Sequence, residues 1–231
     1  MRLILVIIIS FFFSCSKKTV SPTVSVPPTI TPSKSYLALG DSYTIGQSVA
    51  ANERFPAQTV SLLKQQGINM NDPVYIAQTG WTTANLQSAI ANQNPPSTFD
   101  VVTLLIGVND QYQGMDTSGY AIRFTQLLEK AIQLAGGKKS NVFVLSIPDY
   151  SATPFVAMVN KSKVRTEIDW FNAINKRITA TYNVSYTDIT PSTREAVTNA
   201  ALVANDNLHP SGLEYKKWAE MLSPKMSAVL K

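Results

Sequence analysis

The sequence predicts a three-layer α/β domain, in which helices cover both faces of a central, mostly parallel sheet of about five strands. Two observations support this fold class. Between residues 35 and 231, short apolar runs alternate with segments of helical periodicity, as in sheets whose parallel strands are joined by helices. The most apolar run, FDVVTLLIG at 99–107, is almost continuous, which is typical of a strand that is covered on both faces.

Each predicted strand is a short apolar segment that ends close to a glycine or a polar cluster. The first, YLALG at 36–40, stops at Gly40. The complete set of predicted strands is 36–40, 74–78, 99–107, 141–148 and 184–189.

The predicted helices separate these strands and lie at 54–67, 82–93, 117–137, 161–182 and 211–231. Gly67 is a suitable C-cap for the first of them, and Thr82 is a suitable start for the second. In the fourth, apolar residues recur at intervals of three and four, the helical spacing, from Ile168 to Ile178. Pro224 predicts a kink or a break in the last helix.

The N-terminal segment is predicted to lie outside the folded domain. Residues 1–14 have one basic residue and then an apolar run, the pattern of a signal peptide. Cys15, the single cysteine, follows directly, and this arrangement resembles a bacterial lipoprotein signal, in which the cysteine is lipidated after cleavage. An ordinary secretory signal and an uncleaved anchor helix are the alternatives. Residues 15–34 are rich in Ser, Thr and Pro and read as an extended tether, which leaves 35–231 as the domain.

The composition argues against several classes of function. The net charge of +5 comes from scattered Lys and Arg, with no basic stripe interleaved with aromatic residues, so we expect no nucleic-acid partner. With one histidine, one cysteine and no convincing carboxylate cluster, we expect no metal site and no cofactor. The alternative is that Asp206 and His209 form half of a metal site. Nothing in the sequence indicates the oligomeric state.

Polar clusters follow four of the predicted strands. They are LGDSYTIG at 39–46, AQTGWT at 77–82, IGVNDQ at 106–111 and, after the last strand, DNLHP at 206–210. In open α/β sheets the carboxyl ends of the strands hold the ligand site. We therefore expect the four clusters to meet at one edge of the sheet.

This ordered set resembles the SGNH, or GDSL-type, hydrolase family. The residues that carry the resemblance are Ser42, Gly80, Asn109 and His209, and they span nearly the whole domain. The resemblance implies the flavodoxin-like fold of that family and an esterase or lipase that works through an acyl-serine intermediate.

The family implies a catalytic triad in which Ser42 is the nucleophile, His209 the general base and Asp206 the residue that orients the base. A serine hydroxyl is a weak nucleophile until a base takes its proton, and His209 is the single histidine of the chain. Asp206, three residues earlier, is expected to fix the imidazole tautomer and stabilise the imidazolium. No GxSxG motif occurs, so the nucleophile elbow of other hydrolases is not expected.

The family also implies an oxyanion hole made by the backbone N–H groups of Ser42 and Gly80 and the side-chain amide of Asn109. For Gly80 the alternative is an ordinary turn glycine, and for Asn109 it is an Asx-turn after a strand. Asp110 is expected to organise its loop rather than to take part in catalysis.

One departure from the family pattern is Tyr43, which stands where many relatives carry Leu. We expect Tyr43 to affect the packing of the first loop or the pocket entrance and not the mechanism.

The aromatic residues Trp81, Tyr112 and Tyr150 either stack on a sugar or shape an acyl pocket, or they merely cover the core. Residues 147–155 should lie at the same edge of the sheet.

The leading hypothesis from the sequence is a serine esterase that hydrolyses carboxylic esters in the bacterial cell envelope, held by a lipid anchor. Its expected substrates are acylated, for example acetylated, glycans or small or lipid esters. An acyltransferase with the same triad is the closest alternative. A non-catalytic binding module and a structural envelope protein are the others.

Overall fold

The computed structural model describes residue 10, residues 32–156 and residues 161–231. Nearly all of the predicted signal peptide, Cys15 and most of the predicted tether lie outside the described residues. Residues 32–231 form one compact unit. Within it, Lys34, the last residue of the predicted tether, forms an isolated parallel bridge with Met70. No helix in the described part of the chain is long and apolar enough to cross a bilayer.

Five parallel strands form the central sheet. They are β1 (Tyr36–Gly40), β2 (Val74–Ala77), β3 (Val101–Leu105), β4 (Val142–Leu145) and β5 (Ser185–Thr187). Their order across the sheet is β2-β1-β3-β4-β5. All residues of β1, β3 and β4 are buried, because helices cover the sheet on both faces. The predicted fold class is confirmed.

The helices of the described residues include all five predicted ones, at slightly different bounds. These five are α2 (Phe55–Gln65), α3 (Thr83–Gln93), α5 (Thr117–Leu134), α6 (Lys161–Thr181) and α8 (Gly212–Leu230). Three further helices were not predicted: α1 (Ser42–Ile45), α4 (Val108–Tyr112) and α7 (Thr190–Thr193). Each of the three spans about one turn, which is too short for a hydrophobic period to be visible.

The last helix is not broken at Pro224, contrary to one expectation from the sequence. α8 runs from Gly212 to Leu230 with Pro224 inside it and exposed. Its buried side carries Trp218, Leu222, Met226 and Leu230 at intervals of four. Each such side chain contributes about 1.5–3 kcal/mol when buried, which together exceeds the roughly 3 kcal/mol cost of a helix-interior proline.

Packing of α8 against α2 ties the C-terminal part of the chain to its beginning. The Phe55 ring lies 5.8 Å from the Trp218 ring and 6.3 Å from the Tyr215 ring, measured between centroids. All three side chains are fully buried. This cluster fixes the position at which the loop before α8 reaches the carboxyl edge of the sheet.

The turn from β1 into α1 is unusually close-packed. Gly40 pairs with Ala77 of β2 and Leu105 of β3. A Cβ atom at Gly40 would overlap the Leu105 carbonyl oxygen and the Thr44 side chain. Only glycine therefore lets α1 begin directly over the end of β3.

Asp41 caps α1 from a fully buried position. One of its carboxylate oxygens, Oδ1, accepts the Tyr43 N–H at 3.0 Å, and its carbonyl oxygen accepts the N–H groups of Thr44 and Ile45. The other carboxylate oxygen, Oδ2, has no hydrogen-bond partner. Burial raises the pKa of Asp41 to about 8, although the Tyr43 N–H opposes the shift.

We expect this buried cap to make the protein less stable as the pH rises from 5 to 8. Because its pKa is higher in the folded than in the unfolded chain, Asp41 binds its proton more tightly when folded, so stability falls between the two pKa values. The slope from one such group reaches at most about 1.4 kcal/mol per pH unit. Asp41→Asn keeps a good N-cap and should remove the slope in urea unfolding measured at unit intervals of pH.

Asp116→Asn is the matched control, because Asp116 is the exposed N-cap of α5 and accepts the Gly119 N–H. It should leave the slope unchanged. A slope that persists in Asp41→Asn would mean that another group causes it.

Candidate active site

The described part of the chain brings Ser42, His209 and Asp206 into one hydrogen-bonded series. The His209 Nε2 atom lies 2.9 Å from the Ser42 Oγ atom, and the Nδ1 atom lies 2.6 Å from Asp206 Oδ2. An ionised carboxylate only accepts hydrogen bonds. A neutral His209 therefore carries its proton on Nδ1, which leaves the Nε2 lone pair facing the serine hydroxyl.

Ser42 is buried at the start of α1, directly after the carboxyl end of β1. His209 is also buried, whereas Asp206 is exposed. Asp206 and His209 lie on a tight loop. The Ala204 N–H donates to the His209 carbonyl oxygen at 2.8 Å across this loop. An antiparallel bridge between Val203 and Pro210 closes this loop.

The Asp206 carboxylate is held by four donors. Oδ1 accepts the backbone N–H groups of Leu208 at 3.0 Å and His209 at 2.9 Å. Oδ2 accepts the hydroxyl of Ser48 and the His209 ring, each at 2.6 Å. Partial burial pushes the pKa of Asp206 upward, but the hydrogen bonds from Ser48 and His209 outweigh it and lower the pKa to about 2.

Asn109 reaches the same place from the next strand. It lies in α4, which follows β3, and its Nδ2 atom donates to the Trp81 carbonyl oxygen at 3.0 Å. The amide has two N–H groups, so the second can donate to another acceptor. Asn109 lines one cavity together with Ser42 and His209.

Gly80 stands apart from this group. It is exposed on the loop after β2, the neighbour of β1, and its backbone has a φ of +81°. It is not among the residues that line the cavity beside Ser42. The left-handed backbone fits both the predicted oxyanion role and an ordinary turn, so the role assigned to Gly80 stays a prediction.

Asp110 is a structural residue, as the sequence suggested. Its buried carboxylate accepts the Thr83 N–H at 2.8 Å and the Thr83 hydroxyl at 2.5 Å. Arg123 completes the cluster with an ion pair of 3.3 Å to Asp110 and a hydrogen bond of 2.8 Å to Thr83. The cluster joins α4 to α3 and α5 and so holds Asn109 in place.

The cavity beside Ser42 has a volume of about 220 Å³ and an aromatic wall formed by Tyr112, Tyr150 and Phe155. The Tyr112 ring lies 6.1 Å from the Tyr150 ring and 6.4 Å from the Phe155 ring. Tyr112 is 60% exposed and Phe155 is 44% exposed, so both offer apolar surface to a ligand. The placement of residues 147–155 at this edge of the sheet is confirmed.

Two further residues border the site: Tyr43, which the sequence analysis expected to affect the first loop or the pocket entrance, and Ser48, which had no recognisable signal in the sequence. Tyr43 is buried with its ring centroid 5.0 Å from that of His209, so it contacts the proposed base as well as lining the cavity. Ser48, which donates to Asp206, is separated from it by 158 positions. Trp81 contributes its carbonyl oxygen to Asn109 and does not line the cavity.

Metal ligands are not grouped in the described part of the chain: it contains no group of three or more His, Cys, Asp or Glu side chains that could hold an ion. Cys15 lies outside the described residues.

The family model of the GDSL-like lipase/acylhydrolase family matches residues 38–217. No curated protein matches the sequence.

Solved structures of similar fold include a lipase from a goat rumen metagenome, with a TM-score of 0.66 and 20% identity over 86% of this chain and 100% of that one. A putative GDSL-like lipase from Parabacteroides merdae has a TM-score of 0.64 and 20% identity over 88% of this chain and 100% of that one. An acetyl xylan esterase from Geobacillus stearothermophilus has a TM-score of 0.62 and 19% identity over 84% of this chain and 94% of that one.

At 19–20% identity the solved structures show that the fold is shared. The family model covers more than half of the chain and shows the family as well. The resemblance noted in the sequence is thereby confirmed. The chain belongs to the GDSL-like lipase/acylhydrolase family of carboxylic ester hydrolases.

Proposed function

We propose that the protein is a serine esterase in which Ser42, His209 and Asp206 form the catalytic triad. The observation that carries the proposal is the continuous series of hydrogen bonds from the Ser42 hydroxyl through His209 to Asp206, at the carboxyl edge of the sheet. A binding module or a structural protein needs none of these contacts.

In the first half of the reaction, Ser42 Oγ attacks the carbonyl carbon of the ester while His209 Nε2 takes the hydroxyl proton. Asp206 stabilises the imidazolium that forms. Collapse of the tetrahedral intermediate breaks the bond to the alcohol, which leaves with the proton from His209. Water then repeats the sequence on the acyl-serine and releases the acid and free Ser42.

The developing oxyanion is stabilised by the backbone N–H groups of Ser42 and Gly80 and by the free amide N–H of Asn109. Each donor of this kind contributes about 3 kcal/mol in the transition state. The position of Asn109 beside the cavity and its anchoring on Trp81 support its part in this assignment. For Gly80, the support is the strand order, which places its loop next to that of Ser42.

The proposed substrates are short-chain acyl esters, above all acetyl groups on glycans. The cavity of about 220 Å³ is smaller than the roughly 300–1,000 Å³ of sites for drug-sized ligands, which favours a small acyl group over a long lipid chain. Beside the cavity, the exposed faces of Tyr112 and Phe155 offer stacking surface for the alcohol part. Two similar structures are acetyl xylan esterases.

An acyltransferase with the same triad is the second candidate. It would have to exclude water from the acyl-serine while admitting an alcohol. Because Tyr112 and Phe155 are largely exposed, the site is open to water, which favours hydrolysis.

We further propose that the enzyme is held in the bacterial cell envelope by a lipid on Cys15. The support is the apolar run at 3–13 followed by the single cysteine of the chain.

Replacement of the nucleophile tests the esterase proposal. Ser42→Ala should reduce kcat on p-nitrophenyl acetate by at least about a thousandfold, because no other group in the triad can form the acyl-enzyme. Wild-type enzyme should prefer the acetate and butyrate esters to the palmitate ester. The exposed Ser61 of α2 supplies the control Ser61→Ala, which should keep wild-type rates. Equal rates for Ser42→Ala and wild type would exclude the triad.

Truncation of the aromatic wall tests the substrate class. Phe155→Ala should raise KM for acetylated xylo-oligosaccharides roughly three- to tenfold, the range expected for one aromatic contact, while p-nitrophenyl acetate turnover changes less than about twofold. Trp170→Ala removes a similarly exposed aromatic ring from α6, away from the cavity, and should change neither. An equal loss on both substrates would contradict a role in binding the alcohol part.

Metabolic labelling tests the anchor. In a bacterial host, the full chain should incorporate palmitate and sediment with membranes, and Cys15→Ala should do neither, because the thiol is the acceptor of the lipid. An ordinary secretory signal predicts an unlabelled chain that does not sediment. An uncleaved anchor helix predicts an unlabelled chain that does.

A further inference from the structure

Ser48 connects the nucleophile's own loop to the acidic end of the triad. The chain leaves α1 through Gly46 and reaches Ser48, whose hydroxyl donates to Asp206 Oδ2 at 2.6 Å. The same oxygen accepts the His209 Nδ1–H, also at 2.6 Å. The donors to the other oxygen come from residues 208 and 209, so Ser48 is the donor that reaches Asp206 from a different element.

The backbone of Ser48 is strained in a way that this contact explains. Its φ of +66° lies in the left-handed region, where a residue other than glycine costs about 1 kcal/mol or more. Such strain persists only where the surroundings hold the residue, and it clusters at functional sites. The neighbouring Gln47 is held too, since its Oε1 atom accepts the Thr79 hydroxyl at 2.6 Å, next to Gly80.

We propose that Ser48 is a positioning residue for catalysis, which holds Asp206 Oδ2 against His209 and shares its negative charge. The proposal rests on the triad proposed above. Ser48 does not line the cavity beside Ser42, so its effect reaches the reaction through Asp206.

Two consequences follow for the reaction. Without the hydroxyl, the exposed Asp206 side chain is less restrained and the His209 ring is oriented less firmly for proton transfer. In addition, Oδ2 would carry more negative charge toward the ring and would favour the imidazolium. The base would then stay protonated to a higher pH, and the acid limb of the kcat/KM profile would move upward. The low pKa of Asp206, about 2, keeps the carboxylate charged throughout this range.

Other titratable groups of the described residues near the His209 ring are not hydrogen-bonded to Ser48, so substitution of Ser48 leaves their hydrogen bonds unchanged. A second, small cavity that His209 lines is also lined by Tyr43, Asp149, Tyr150 and Glu214. Arg194 pairs with Asp149, and Lys217 pairs with Glu214. In the described part of the chain no hydrogen bond joins any of these residues to Ser48, so a shifted profile would report on Asp206.

Two substitutions at Ser48 separate positioning from folding. Ser48→Gly loses the hydrogen bond to Asp206 but relieves the left-handed strain, and because these effects oppose each other it should unfold at about the same urea concentration as wild type. Ser48→Thr keeps the hydroxyl but adds strain, because a β-branched residue fits this region poorly. A purely structural role predicts that activity follows stability, with the glycine variant the more active of the two.

Positioning predicts the opposite order. On p-nitrophenyl acetate, measured well below the unfolding temperature, Ser48→Gly should lose about tenfold in kcat with KM within about twofold. Tenfold is the lower end of the range for a hydrogen bond to a charged group, as suits an exposed pair. The acid limb of the kcat/KM profile of Ser48→Gly should move to higher pH. Ser48→Thr should keep most of the wild-type kcat and the wild-type profile.

Asn94→Gly is the matched control, since Asn94 is an exposed left-handed residue with a φ of +42° at the end of α3. It should leave kcat and the profile unchanged. A Ser48→Gly enzyme with wild-type kcat and pH profile would overturn the proposal. If Ser42→Ala is inactive in the same assays, only the role of Ser48 fails; if Ser42→Ala is fully active, the triad itself fails.

Discussion

The close approach of β1 and β3 at their carboxyl ends is the constraint on which the rest of the site depends. Gly40 lies opposite Leu105, and a side chain at Gly40 would overlap both the Leu105 carbonyl oxygen and Thr44 of α1. This approach allows α1 and α4 to begin beside each other, one after each strand. Ser42 and Asn109 consequently line one cavity although 67 positions separate them in the sequence. The parallel direction of all five strands brings the remaining loops to the same edge.

The sequence contains enough information to predict the fold class and to single out three residues that the structure joins by hydrogen bonds. Apolar runs that alternate with helical periods are long-range regularities, and they predict β1 to β5 and the five long helices. Ser42, Asp206 and His209 are recognisable through the resemblance to the family, whose ordered motifs they match. The short helix α1 has no period to detect, and no local pattern signals that Ser48 contacts Asp206, because a contact across 158 positions is created by folding alone. The oxyanion role of Gly80 and the lipidation of Cys15 stay predictions.

Two aspartates near the nucleophile show how environment separates chemically identical groups. Asp41 is buried beside Ser42 with one oxygen unpartnered, and its pKa rises to about 8. Asp206 is exposed and receives four hydrogen bonds, and its pKa falls to about 2. Around neutral pH the second is fully charged and serves as the partner of His209, while the first is mostly neutral and serves as a helix cap. Of these two carboxyl groups, Asp206 therefore supplies the negative charge beside His209.

The hydrogen bond between Ser42 and His209 joins residues 167 positions apart. The loop that holds His209 is fixed by α8, whose Tyr215 and Trp218 pack against Phe55 near the start of the domain. A nascent chain on the ribosome therefore carries the Ser42 hydroxyl early, and His209 reaches it only when α8 has been synthesised and has docked. In the proposed triad, Ser42 therefore gains its base only after most of the domain has been translated.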